Sequence, residues 1–472
     1  MANTLALSTQ LATARLRDPK GTGALDAFAL VAYGVAAWLA FVVASGTWMF
    51  FRRLEVPSAW LAAQQSGDPG SPSFAELFGS TYVVLALVAC ALLIVPILTL
   101  GGAAARLGAR GRARRLASLR LIGMTSGEIV GMSVVESLVQ ALAGIVLGAV
   151  AWAATLPLLM LLSFQNQHLG IAELLMPWWL WLAVVVVLLT LAAVSTALGL
   201  TRVSISPLGV ARQTAAPALS AKRVLALVAA VAVVGLLTAV MRIPVSAMVL
   251  GAILFGVVAI GVGLLNLFAP WLLQTIARLN VVTGNPARLM AMRRIIADPR
   301  SAWRNVSSIA LIGVIAGAVA VVPTDGSQFQ GMSEVNAMVM LDIRNGALLT
   351  LVIALIVGAT STALAQASDV VDRSDELVAL DRMGVEPGVD AAARRHQVLM
   401  PLLATLLVSL GLGVLVGLPA LTTKPDLFTW GGSSGVILLA TVVAAVVLTL
   451  LAAEATRPLR RRAVRQQVRR ND

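Results

Sequence analysis

Long apolar runs without a charged residue recur along the whole 472-residue chain. A run of roughly 20 such residues, about the thickness of a bilayer as a helix, satisfies its backbone in lipid only by closing every hydrogen bond within itself. Ten runs qualify, at about 27–51, 80–102, 134–163, 176–200, 224–241, 245–268, 305–323, 346–367, 398–420 and 432–453. With 59% hydrophobic and 12% charged residues and a mean hydropathy of +0.91, a soluble globular fold is excluded. The third run carries Pro157 near its far end, where a bend is expected. The stretch 243–277 is free of charge throughout, and Pro270 is expected to end its span. The expected fold is an all-α integral membrane protein of about ten transmembrane helices.

An even number of spans puts both termini on one side, and the basic residues say which. Thirty of the 35 Lys and Arg residues lie in the N-terminus, the loops 103–130, 201–223, 269–304 and 368–397, and the C-terminal tail. The opposite side holds only Arg52, Arg53, Arg242, Arg344 and Lys424. Basic loops stay in the cytoplasm, so both termini are expected there. The net charge of +13 is thus a topology signal, and no soluble module gathers it for nucleic acid. No cleavable signal peptide is expected, because the first run starts late, follows Arg15, Arg17 and Lys20, and is too long. The single Cys90 excludes an intramolecular disulfide. The usage of 32 Arg against 3 Lys suggests a GC-rich bacterial genome and hence a bacterial plasma membrane.

The chain also repeats itself. Aligning Gly123 with Gly384 places Leu116 on Leu377, Leu119 on Leu380 and Ile122 on Met383, apolar residues along one face of a short helix. Upstream, Asp18-Pro19 before the first run matches Asp298-Pro299 before the seventh. Downstream, Ser206-Pro207-Leu208 has a faint echo in Arg457-Pro458-Leu459. The expected organisation is a four-span unit over 1–213, a two-span connection over 214–284 and a second four-span unit over 285–472. Six spans from one unit's start to the next is an even offset, so the copies are expected to be parallel rather than inverted. The far-side loops, about 53–79 and 324–345, are too short to build a core of their own.

No residue pattern provides an ATP site. A phosphate-binding loop needs Gly-x-x-x-x-Gly-Lys-Ser/Thr, yet Lys20, Lys222 and Lys424 are followed by Gly, Arg and Pro. His168, His396 and Cys90 do not form a zinc set, and no nucleophile triad is recoverable. Glu136, near the cytosolic end of the third run, is the ionisable residue that stands out. Pairing with a nearby Arg is its expected role, with substrate contact as the alternative. Gly144 and Gly148 then form a small-xxx-small motif for close helix approach, with Gly411, Gly413 and Gly417 in the second copy.

The order Arg114, Leu119, Gly123, Ile129, Glu136, Gly144, Gly148, closed by Ser206-Pro207-Leu208 through Arg212, resembles the FtsX-like permeases, membrane subunits of one class of ABC transporter. The second copy keeps Glu376, Leu377, Leu380 and Gly384 but has Gln397 where the first has Glu136. The resemblance implies a cytoplasmic ABC ATPase dimer as partner, with ATP and Mg bound there and no cofactor in this chain. It makes Arg114, Arg115, Leu116, Leu119, Ile122 and Gly123 the first ATPase-coupling segment, and Asp375, Glu376, Leu377, Leu380, Met383 and Gly384 the second. Two-copy, ten-span chains are similar to peptide-antibiotic resistance permeases, although the large outer domain of those proteins is replaced here by about 22 residues.

The two coupling segments differ in charge. Residues 106–120 hold six Arg and no acid, whereas residues 369–390 hold seven acids against Arg373 and Arg382. The implied function is export, or extraction from the membrane, of a hydrophobic or amphipathic substrate such as a lipid, peptide antibiotic or drug, taken laterally among membrane lipids. The alternative is a mechanotransmitter that moves no substrate and regulates an extracytoplasmic accessory protein such as a cell-wall hydrolase. An ion-coupled transporter fits the parallel repeat and the uncharged midplane poorly.

Overall fold

The computed structural model describes residues 23–57, 59–63, 78–91, 100–105, 125–204, 266–319, 334–372, 374–423 and 433–456, with 97, 107 and 263 as single positions. Within these residues the protein is helical apart from one small hairpin. In chain order the main elements are α1 (Gly23–Glu55), α2 (Phe78–Ala91), α3 (Ser126–Leu159), β1 (Ser163–Phe164), β2 (Gln167–His168) and α4 (Trp178–Ser204). They continue as α5 (Pro286–Ala297), α6 (Pro299–Val319), α7 (Glu334–Asp372), α8 (Ser374–Arg382), α9 (Pro387–Thr423) and α10 (Ser433–Glu454).

Six of these helices, α1, α3, α4, α7, α9 and α10, are long and apolar enough to cross a membrane. Their outer faces are as apolar as their inner ones. Leu142, Val146 and Val150 on α3, Leu182 and Val186 on α4, and Leu439, Val443 and Val447 on α10 are all exposed. Stripes of that length would be an aggregating surface in water and are the expected surface in lipid. The protein is accordingly a multi-pass, all-α membrane protein.

The run expected at 224–241, and that at 245–268 except for 263 and 266–268, lie outside the described residues. The helical residues 266–279 continue through Pro270, so this proline does not end the helix. Proline removes one backbone bond, and an apolar surrounding tolerates the loss where neighbours pack the bend. Ala269, Leu273 and Ala277, one turn apart on this helix, are buried in a core shared with α5, α6 and α9. Helix α6 covers the seventh run but carries Arg300 and Arg304 in its first two turns, which shortens its apolar part. Asp298 caps it, accepting from the Ser301 N–H at 3.0 Å, with Pro299 next in line. Helix α3 ends two residues after Pro157 and turns directly into the hairpin.

Among the described residues, two large apolar cores and two smaller ones fill the bundle. One large core joins α1, α3 and α4 around Phe41, Trp152 and Leu188. The other joins residues 269–277 with α5, α6, α9 and α10 around Met292, Ile309 and Leu402. Helix α7 lies in the second half by sequence yet lines both. Leu351 and Ala354 enter the second core, Ile353 and Val357 the first, and Leu364, Ala367 and Val370 continue along α1 towards Leu25. This seam is what holds the halves together in the plane of the bundle.

Candidate functional site

Two ends of the bundle carry polar structure. At one end meet the N-termini of α1, α6 and α9 and the C-termini of α7 and α10. There α8 forms a helical arm before α9. Its last turn is closed by Gly384 at φ +75, with the Val385 N–H reaching back to the Leu380 carbonyl at 3.1 Å. That six-to-one bond needs a left-handed residue, which glycine supplies without a Cβ penalty. Glu386 then starts α9, its carbonyl accepting from the Val389 N–H at 3.0 Å. Replacing Gly384 by Ala finds open space around the new Cβ but the wrong backbone angle. A loss of about 1–2 kcal/mol is expected from that conformation. Gly388→Ala, in the first turn of α9, is the matched control and is expected to be neutral or stabilising by up to about 1 kcal/mol. Thermal melting of the two purified variants in detergent checks the pair.

The arm is tied down by Arg294 of α5. Its guanidinium lies 3.0 Å from Glu376 on α8 and 3.4 Å from Asp390 on α9. Arg294 and Asp390 are nearly buried, while the Glu376 side chain is 44% exposed. Further ties run from Ser301 and Asn305 to Asp369 at 3.2 and 3.3 Å, from Arg394 to Thr456 at 2.9 Å, and from Arg395 to Glu454 at 3.5 Å. The expected coupling residues therefore divide. Leu380 is half-buried, Met383 is 70% exposed, and Glu376 is engaged within the molecule, while Val378, which was not among them, packs inward. Asp375 and Leu377 lie on α8, with their side chains outside the described residues, and Arg114, Arg115, Leu116, Leu119, Ile122 and Gly123 lie outside the described residues altogether.

Glu136 is buried at the same end of α3, on a stripe with Ser133, Ser137 and Gln140. Gln140 donates to Asp26 of α1 at 3.1 Å. Asp26, also buried, sits one residue before the apolar run and escapes a reading that counts only charges inside runs. Gln397, at the position corresponding to Glu136, is half-buried on α9. At the head of α3, Thr125 and Glu128 form a capping box. Hydrogen bonds from the Thr125 backbone N–H and then its hydroxyl hold the Glu128 carboxyl below its ordinary range.

The glycines sort themselves by contact. A Cβ on Gly148 would lie 2.6 Å from the Ala37 Cβ and 2.7 Å from backbone atoms of Gly34 and Trp38. Gly144 would run into Tyr33 in the same way. On the other side, Gly313 and Gly317 of α6 abut Ser409, Leu410 and Gly413 of α9. Gly313 and Gly317 share the small-xxx-small spacing, yet the sequence reading placed the second copy's close packing on Gly411, Gly413 and Gly417 instead. Gly411, expected in the packing, has nothing within 4 Å.

The opposite end is built around Arg53, which is 3% exposed at the end of α1. It donates to Glu173 Oε2 at 2.7 Å, the Phe164 carbonyl at 2.6 Å and the His168 carbonyl at 3.2 Å. Asp342 of α7 accepts from the Tyr82 hydroxyl at 2.5 Å and the Gln165 N–H at 2.9 Å. Asn345 donates to the Ser163 carbonyl at 2.7 Å. Residues 334–345, expected as loop, are helix, and it is this extension of α7 that delivers Asp342 and Asn345 to the hairpin. Neither run-counting nor motif spacing singles out these contacts, since they join residues up to 260 positions apart.

Compared with known proteins, the chain matches no protein-family model and no curated sequence.

Proposed function

We propose that this chain is the permease subunit of an ABC transporter of the FtsX-like kind, set in a bacterial plasma membrane with both termini in the cytoplasm. ATP hydrolysis, with its Mg, belongs to a separate cytoplasmic ATPase dimer. The substrate is hydrophobic or amphipathic, a lipid, peptide antibiotic or drug, exported or extracted from among the membrane lipids. The observation that carries this reading is the α8–Gly384–α9 arm. It is a short helix at the basic, cytoplasm-assigned end, exposed at Met383 and continuous in its fastening with a membrane-length helix. Such an arm suits the transmission of a push from below into the bundle.

The parallel packing of two helix pairs supports the repeat. The offset of 280 residues that sets Asp18 on Asp298 also sets Tyr33 on Gly313 and Ala37 on Gly317. The offset that sets Gly123 on Gly384 sets Gly148 on Ser409. Tyr33 and Ala37 face Gly144 and Gly148 across α1 and α3, while Gly313 and Gly317 face Ser409 and Gly413 across α6 and α9. The two contacts agree to within a helical turn.

Purification of the tagged chain from its native host tests the reading. A Walker-motif ATPase is expected to co-purify, and Met383→Asp is expected to weaken that association at least tenfold. In vesicles, turnover by the complex should rise with a lipid, peptide or hydrophobic drug. Stimulation by an extracytoplasmic protein alone would instead make the chain a mechanotransmitter, and absence of any ATPase would overturn both.

A further inference from the structure

We propose that the hairpin 163–168 is a latch across the two halves of the bundle, opening as a unit while the α1–α7 seam stays closed. The α7 residues that line the seam, from Ile353 and Val357 to Leu364, Ala367 and Val370, are apolar. The fastening at the hairpin end is of a different kind. Tyr82 to Asp342, Gln165 to Asp342 and Asn345 to Ser163 all cross from the first half to α7 by hydrogen bonds. Directional polar bonds between a two-residue-per-strand hairpin and one helix end can break and reform while disturbing only the edge of the first core, where Phe164 is buried. The apolar seam offers no such discrete alternative.

The turn itself is poised. Gln165 and Asn166 both adopt left-handed angles, φ 55 and φ 56, the form that suits a two-residue hairpin. Asparagine tolerates that region, but glutamine is seldom found there. The Gln165 N–H bond to Asp342 helps hold the residue in this conformation, so losing Asp342 loosens the turn as well as the tie. Arg53 anchors the other side of the hairpin through the Phe164 and His168 carbonyls and Glu173. All of those anchors belong to the first half. A released hairpin would thus stay with α1 and part from α7. Parting uncovers the aromatic group of Phe50, Phe164 and Tyr82, in which the Phe164 ring lies 5.8 Å and the Tyr82 ring 5.5 Å from that of Phe50.

Amide exchange, followed by mass spectrometry on the full chain in lipid nanodiscs, tests the latch without any ATPase. Amides of 163–169 are expected to exchange at least tenfold faster than those midway along α3 and α7. Asn345→Ala should speed the hairpin a further tenfold and leave the helices unchanged. In a Cys90→Ala background, Ser163→Cys with Asn345→Cys, joined by a short thiol crosslinker, should slow the hairpin towards the helix rates. Hairpin exchange that tracks α3 and α7 in the unmodified chain and in both variants would make the hairpin a fixed brace and overturn the proposal. The ATPase reading could fail with the latch intact, because this experiment needs only the permease chain.

Discussion

Gly148→Leu is expected to destroy the α1–α3 contact and with it most of the folded protein. The obstruction is backbone as well as side chain, with the Gly34 carbonyl oxygen and the Trp38 backbone nitrogen each 2.7 Å from where a Cβ would stand. A flexible neighbour could swing aside, but a helix backbone must translate bodily. Overpacking by a single methyl in a tight core costs about 1–3 kcal/mol, and an isobutyl group that separates two helices costs more. Membrane helices associate by close packing of this kind rather than by expelling water, so the lost contact has no hydrophobic compensation. Gly317→Leu is expected to act alike on α6 and α9, where the Leu410 carbonyl and Gly413 leave no room. Gly411→Leu is the internal control, since nothing stands within 4 Å of its Cβ. Size-exclusion of the detergent-extracted chain after graded heating should rank Gly148 and Gly317 far below Gly411. Equal melting of all three would remove close packing from the account.

These glycines show how far the sequence could be read. Gly144 and Gly148 declare themselves by spacing, because small residues four apart form a groove on any helix. Gly413 and Gly411 do not separate by that rule. They point about 200° apart around a helix, and only the position of α6 decides which one is covered. The long apolar helices were legible for the same one-dimensional reason, their length and lack of charge. Arg53 was counted as one of the few basic residues on its side, but its partners were not visible. Glu173, Asp342 and the hairpin carbonyls come together only when α1, α3 and α7 end at one level. Asp26 was hidden by lying at the very edge of an apolar run. In each case what escaped was a contact between distant segments, and what was found was a property of one helix.

The charge contrast between the two coupling segments takes a different form once Arg294 is in place. Glu376 and Asp390, two of the acids that make the second segment negative, face one arginine of the same chain. Arg294→Ala should therefore be the most damaging substitution at this end. It leaves the nearly buried Asp390 without this partner, and breaking a buried ion pair by removing one member costs about 3–5 kcal/mol. Glu376→Gln removes only the exposed arm of the bridge, where such pairs contribute about 0–1 kcal/mol. Asp390→Asn should fall between, since it removes the buried charge together with the attraction. The stability order expected from thermal melting is Glu376→Gln above Asp390→Asn above Arg294→Ala. Function should follow another order if α8 is the ATPase-docking arm. Arg294→Lys preserves charge but not the two-sided reach of a guanidinium, so it should fold and yet loosen α8 from α9. ATPase binding would then persist while substrate-stimulated turnover falls several-fold. Turnover unchanged in Arg294→Lys would mean that α8 carries no force into α9, leaving Arg294 a brace for the fold alone.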